Sequence, residues 1–239
     1  MRKFTAVAPE LRVDSWKKSD WKDVVEANKD YLDRKIDEAV NFIKRTAERY
    51  QGSVAVAYSG GKDSLATLIL TDMALDDYIV IFIDTGLEFP ETLDHVEQVR
   101  EWLNLGERLH IYSAGDSFWR SLDAFGPPAM DYRWCCKVCK LGPITRAIEN
   151  DLHGDILTFG GERRYESFSR SRRPRIDRNP WIPNQKSAYP IINWTGLDVW
   201  LLLMRENAPV NPLYFRAVSY THLRAHETSL HLVCRLLLE

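Results

Sequence analysis

Four short stretches of this 239-residue chain carry residue types whose spacing supports chemistry. The first is Ser59-Gly60-Gly61-Lys62-Asp63-Ser64, between the β-branched run Val54 to Tyr58 and a helical pattern built on Leu65, Leu68, Leu70 and Met73. Two glycines let another group approach the main chain, and the first N–H groups of a helix, lacking partners inside it, face an anion. Lys62 adds a cation, and Ser59 and Ser64 add hydroxyl donors. The plainer reading is a glycine turn capped by Ser59. The spacing is not the G-x-x-x-x-G-K-[ST] of the common ATPase phosphate loop. The second stretch, Asp84-Thr85-Gly86, follows the apolar run Tyr78 to Ile83. At the carboxyl end of a strand, Asp84 is placed to orient a nucleotide or a magnesium ion, or simply to cap a turn.

The third stretch puts Cys135, Cys136 and Cys139 beside Arg133, Lys137 and Lys140. Cations favour the thiolate, the form that binds metal, so an iron–sulfur cluster or zinc is one use and a set of reduced thiols is the other. The fourth is Gly160-Gly161-Glu162-Arg163, with Glu166 three residues on. A guanidinium donates two parallel hydrogen bonds to sulfate or phosphate, and Glu166 is spaced to hold it in place. Arg170, Arg172, Arg173, Arg175 and Arg178 follow, as a solvated charged loop or an RNA-binding strip.

The elements that must position these groups alternate. Strands are expected at 54–58, 78–83, 109–112 and 156–159, with helices at 63–74, from Pro90, at 143–152 and from Thr195 to about Arg205. Leu93, Val96, Val99 and Trp102 are spaced to face the sheet, while 113–134 reads as loop-rich, with Gly126-Pro127-Pro128. A longer helix from about Asp20 to Tyr50 carries the stripe Val25, Leu32, Ile36, Val40, Ile43 and Ala47. Strands separated by helices imply an α/β fold: a mostly parallel sheet with helices on both faces, preceded by an N-terminal helix. Net charge is −2, so no global field points to nucleic acid or membrane. No apolar run approaches the ~20 residues of a membrane span, and Met1 to Thr5 begins no signal peptide, so a cytoplasmic protein is expected. In that compartment clustered cysteines favour metal over disulfide.

Ser59 to Ser64 resembles the pyrophosphate-binding loop of the adenine nucleotide α-hydrolase (PP-loop) group. Asp84-Thr85-Gly86-Leu87-Glu88-Phe89-Pro90-Glu91-Thr92 is similar to a segment shared by the sulfonucleotide reductases and the small subunit of ATP sulfurylase. Arg133-Trp134-Cys135-Cys136-Lys137 resembles the iron–sulfur branch of the phosphoadenylyl-sulfate (PAPS) and adenylyl-sulfate reductases. Gly161-x-Arg163-x-x-Glu166-Ser167, the run from Pro190 through Trp194-Thr195 to Asp198-Val199-Trp200, and Asn211 to Tyr214 match further segments of that family.

The resemblance implies adenylyl sulfate or PAPS as ligand, Ser59 to Ser64 holding phosphate, Arg163 meeting sulfate and the arginine-rich loop as a flap. It also implies thioredoxin or another thiol donor as partner. A [4Fe-4S] cluster would use Cys135 and Cys136, with a later C-x-x-C that this chain lacks. The family's nucleophilic cysteine would follow Arg216, so nucleotide binding with little turnover is expected of this chain. From about Val218 the sequence resembles a translated sequencing adapter, and His222, His226, His231 and Cys234 are set aside with it. The expected organisation is an arm at 1–18, a nucleotide-binding domain at 19–216 and a non-native tail at 217–239. Two rivals stand beside this reading. One is an ATP- and magnesium-dependent adenylating sulfur transferase acting on tRNA or DNA; the other is a non-catalytic nucleotide-binding or cluster-carrying module.

Overall fold

The computed structural model describes residues 18–129, 132–152 and 154–216. The arm, apart from Lys18, and the adapter-like tail lie outside the described residues. Six strands form one sheet in the order β3-β2-β1-β4-β6-β5. Their ranges are β1 Ser53–Tyr58, β2 Ile79–Asp84, β3 Leu109–Ser113, β4 Ile156–Phe159, β5 Ile176–Arg178 and β6 Gln185–Ala188. All pairs are parallel except β5 with β6.

Chain order reverses at β1. Strands β2 and β3 lie to one side, while β4 pairs on the other with Val56 opposite Phe159. A crevice opens at the carboxyl ends of strands at such a reversal, and ligands bind there. The pairing sets residues 59–64 and 160–166 next to each other, although about 100 residues separate them.

Each sheet face is covered. On one, Val56, Tyr58, Val80, Phe82, Leu157 and Phe159 join a core with Leu32, Ile36 and Ile43 of α2 (Lys29–Glu48) and Leu65, Leu68 and Ile69 of α3 (Lys62–Ala74). Burying each such side chain contributes about 1.5–3 kcal/mol. On the other face Ala55, Ile81 and Ile156 meet Ile148, Ile144 and Leu141 of a continuous helical stretch over 134–152. That stretch runs as α6 (Trp134–Cys136), a π turn, α7 (Gly142–Ala147) and a second π turn.

Several expectations shift. The single helix over 20–50 is two, α1 (Lys18–Ala27) and α2, because the chain turns at Asn28. In α4 (Pro90–Trp102) the buried face is Thr92, His95, Val96 and Val99, while Leu93 and Trp102 are exposed. The helix is rotated because Thr92 is drawn inward to accept a hydrogen bond from Asn211. The stretch 113–134 is not all loop; it holds α5 (Ser117–Phe125), whose Phe118 is fully buried. The arginine-rich segment carries the edge strand β5 and leads to β6, whose Gln-Lys-Ser-Ala sequence has no apolar alternation to announce it. The last turn of the core is set by α9 (Gly196–Arg205). Its Thr195 and Asp198 cap each other, with Thr195 N–H donating to Asp198 Oδ2 at 2.7 Å and Asp198 N–H to Thr195 Oγ1 at 3.2 Å.

Candidate functional site

Strand β1 ends at Tyr58 and α3 begins at Lys62, leaving three residues to reverse direction. Gly60 does so with φ +72, and a Cβ there would sit 2.8 Å from Thr92 Cγ2. Ser64 closes the loop from inside. Its Oγ accepts from Ser59 N–H at 3.1 Å, donates to Gly61 O at 2.9 Å and lies 3.0 Å from Ser59 Oγ. The first-turn amides of α3 therefore point outward, as an anion-binding helix start requires.

Asp63 is the hinge of the charged groups. Its Oδ2 lies 2.6 Å from Lys62 Nζ, and its Oδ1 accepts from Arg163 Nε at 2.7 Å. Arg163 is buried, and its Nη2 is 3.6 Å from Glu166 Oε1. Glu166 also accepts the Arg163 backbone N–H at 3.3 Å and pairs with Arg170. Gly161 makes this closeness possible, since a Cβ there would lie 2.6 Å from the Asp63 carbonyl and 2.7 Å from Ser64 N. The structure thus gathers Ser59, Gly60, Gly61, Lys62, Asp63, Ser64, Gly161, Arg163 and Glu166 into one constellation.

Asp84, Thr85 and Gly86 form the neighbouring rim. Asp84 accepts from Gly86 N–H at 2.9 Å and from Ser113 Oγ at 3.0 Å, so both its oxygens brace loops. Thr85 donates to Glu88 Oε1 at 2.9 Å. Gly86 has φ +76, and a Cβ would meet Gly115 O at 2.1 Å.

A cavity of about 630 Å3 opens beside the loop. Its floor is the sheet, with Ala57, Ile81, Ile83 and Thr158, and its roof is the helical stretch with Cys136, Lys140 and Leu141. Ser59 and Glu88 line one end, while Arg133 and Lys137 add further cations. Lys137 Nζ lies 5.1 Å from the centre of the Trp181 ring. An apolar slot of this size with cations at its wall suits a nucleotide-sized anion. Trp181, Gln185 and Glu88 were not singled out as site residues. A lone tryptophan beyond a basic run gives no periodic signal, and only the fold brings it to the cavity.

The three cysteines divide. Cys135 and Cys139 are buried in a small apolar cluster with Ala114, Phe118 and Trp134, whereas Cys136 is exposed and lines the cavity. Among the described residues no group of three or more His, Cys, Asp or Glu side chains is arranged to hold a metal ion. Cys136 thus faces the cavity while Cys135 and Cys139 face the apolar cluster. The arginine-rich segment is braced from within: Arg170 and Arg173 pair with Glu162, Arg175 pairs with Glu38, and Arg164 donates to Arg173 O at 3.1 Å. Tyr165 and Phe168 stay largely exposed beside it.

Behind the loop, Tyr58 and His95 are buried with their polar atoms unpaired, their ring centres 6.5 Å apart. Burial lowers the His95 pKa to about 4. Burial, with the Tyr214 phenol second, raises that of Tyr58.

Fold and loop together define a PP-loop α/β domain. The phosphoadenosine phosphosulfate reductase domain model matches residues 53–223, and the chain belongs to that family. An uncharacterized protein of Methanocaldococcus jannaschii is 48% identical over 192 residues, which is 80% of this chain and 39% of that protein. The chain therefore spans well under half the length of this relative. The adenosine 5'-phosphosulfate reductase of Anoxybacillus flavithermus is 29% identical over 181 residues, 74% of each chain. Among solved structures, the PAPS reductase of Candida auris, in a phosphate complex, shares the fold with a TM-score of 0.61 at 19% identity, covering 82% of this chain and 96% of that one. No helix among the described residues is long and apolar enough to cross a membrane.

Proposed function

We propose that this chain is the nucleotide-binding part of a sulfonucleotide reductase, taking adenylyl sulfate or PAPS. One observation carries the reading: the anion loop of α3 opens, through Ser59, onto a 630 Å3 apolar slot walled by Arg133, Lys137 and Lys140. The adenylyl group would lie on the aliphatic floor, its phosphate on the residue 59–64 loop. Arg133, Lys137 and Lys140 on the slot wall would balance the negative charge of the phosphosulfate, beside Lys62 and Arg163 held by Asp63.

The complete reaction uses two thiols. A cysteine thiolate attacks the sulfur of adenylyl sulfate, the S–O bond to the phosphate breaks, and AMP leaves with that electron pair. A second thiolate then attacks the cysteine sulfur of the thiosulfonate, releasing sulfite and leaving a disulfide, so two thiols are oxidised as S(VI) becomes S(IV). This chain supplies the binding surface and the charge balance. The two thiols, a nucleophilic cysteine and one from a donor such as thioredoxin, complete the turnover. The similarity to a named adenosine 5'-phosphosulfate reductase and the match to the family model support this assignment.

The test is calorimetric titration of the full chain with adenylyl sulfate, PAPS and ATP, alongside sulfite release in the presence of a dithiol. Micromolar binding of a sulfonucleotide, weakened at least tenfold by Ser59→Ala with Lys62→Ala, is expected, with little sulfite formed. Binding of ATP alone, with pyrophosphate release, would instead make the protein an adenylating transferase.

A further inference from the structure

The N–H of Lys62, the first residue of α3, belongs to the set of amides that an anion in the loop would use. Here it is already taken: it donates to the Tyr214 hydroxyl at 3.0 Å, across 152 residues of sequence. Tyr214 lies in a short helix, Leu213–Arg216, and its ring stands edge-on to Trp200 with centres 5.6 Å apart. A Cβ at Gly61 would stand 3.5 Å from the hydroxyl, in ordinary contact, so the clasp lies flush against the glycine turn. A second clasp sits three residues earlier. Asn211, buried, donates to Thr92 Oγ1 at 3.2 Å and reaches Gly60 O at 3.4 Å. The segment 211–214 therefore holds the loop by one carbonyl and one amide.

We propose that Tyr214 is a positioning residue that competes with the anion for the Lys62 amide, so that filling the loop releases the tyrosine. This rests on the reading of Ser59 to Ser64 as an anion cradle. The occupied state and the clasped state share one donor, and an amide N–H aimed at a phosphate oxygen is not aimed at a phenol as well. The ligand thereby loosens the segment 211–216 from the loop, linking the filled cradle to the position of that short helix. The Tyr58 hydroxyl, buried behind the loop, has no hydrogen-bond partner. The ligand chemistry is a phosphate or pyrophosphate group, the part of a nucleotide that seats in such a loop.

The experiment compares the full chain with Tyr214→Phe, which keeps the ring against Trp200 and removes only the hydroxyl. Inorganic pyrophosphate is titrated by calorimetry, and the Lys62 amide is followed by 15N NMR. Competition predicts binding about three- to tenfold tighter in the variant, the worth of one amide hydrogen bond. It also predicts that the Lys62 amide resonance of the parent moves with pyrophosphate toward a common bound position. A tyrosine that merely shapes the loop would leave affinity unchanged or weaken it, and either result overturns the proposal while the cradle stands. If neither protein binds pyrophosphate, the cradle falls and this inference with it.

Discussion

Replacing Gly161 by alanine is the sharpest perturbation of the site, because one methyl group meets main chain. The new Cβ would stand 2.6 Å from the carbonyl carbon and oxygen of Asp63. Those atoms belong to the first turn of α3 and cannot rotate away as a side-chain end would. Restoring ordinary contact needs about 0.8 Å of separation between the end of β4 and the helix start. Overpacking of this kind costs about 1–3 kcal/mol. For a domain of this size each kcal/mol moves Tm by about 2–4 °C, so a fall of roughly 2–12 °C is expected.

The same displacement stretches the 2.7 Å contact of Arg163 with Asp63, and pyrophosphate affinity should drop about tenfold. Gly196→Ala is the control, since nothing lies within 4 Å of a Cβ at that position. Thermal unfolding followed by circular dichroism, with calorimetric titration, reads both effects. If Gly161→Ala melts and binds like the parent, or if Gly196→Ala loses as much, the close packing of the two loops is not what holds the site.

Two further outcomes follow from burial. The His95 pKa is held near 4 rather than 6.5 by burial, so the unfolded chain binds a proton between those values that the folded chain refuses. Stability should be full above about pH 6.5 and decline by up to roughly 3 kcal/mol as pH falls toward 4, a slope that His95→Leu flattens in urea titrations; equal slopes in both proteins would refute this. Cys136 lines the cavity while Cys135 and Cys139 are buried, so iodoacetamide should modify Cys136 first among the three. AMP or adenylyl sulfate should slow that reaction severalfold by peptide mass spectrometry, and labelling indifferent to nucleotide would place the ligand elsewhere.

Much of this architecture was legible because it is local. The runs Val54–Tyr58 and Tyr78–Ile83 are apolar enough to declare strands buried on both faces, and the loop at 59–64 declares its anion chemistry in six consecutive residues. What stayed hidden depends on tertiary contact. Strand β6 is recognisable only by its pairing with β4, which lends it register that its own composition does not supply. The rotation of α4 follows from a hydrogen bond between Thr92 and a residue 119 positions later. The ion pair of Arg163 with Asp63 spans 100 residues and exists because β1 and β4 are neighbours. The cysteines are a further case: their spacing leaves metal ligation and reduced thiols open, and only the helical stretch shows Cys136 on the cavity with Cys135 and Cys139 in the apolar cluster.

The Asp63 carboxylate, clasped between Lys62 and Arg163, makes the cradle carry its own counterion. With Glu166 on the far side of Arg163, the four charges sum to zero before any ligand arrives. The attraction over distance then falls to Arg133, Lys137 and Lys140 on the slot wall, so association should slow as ionic strength rises. Chloride gains little from Lys62 and Arg163, whose charge the Asp63 carboxylate already meets. A ligand with several contacts to make along the slot gains more, and chloride is kept from crowding the loop.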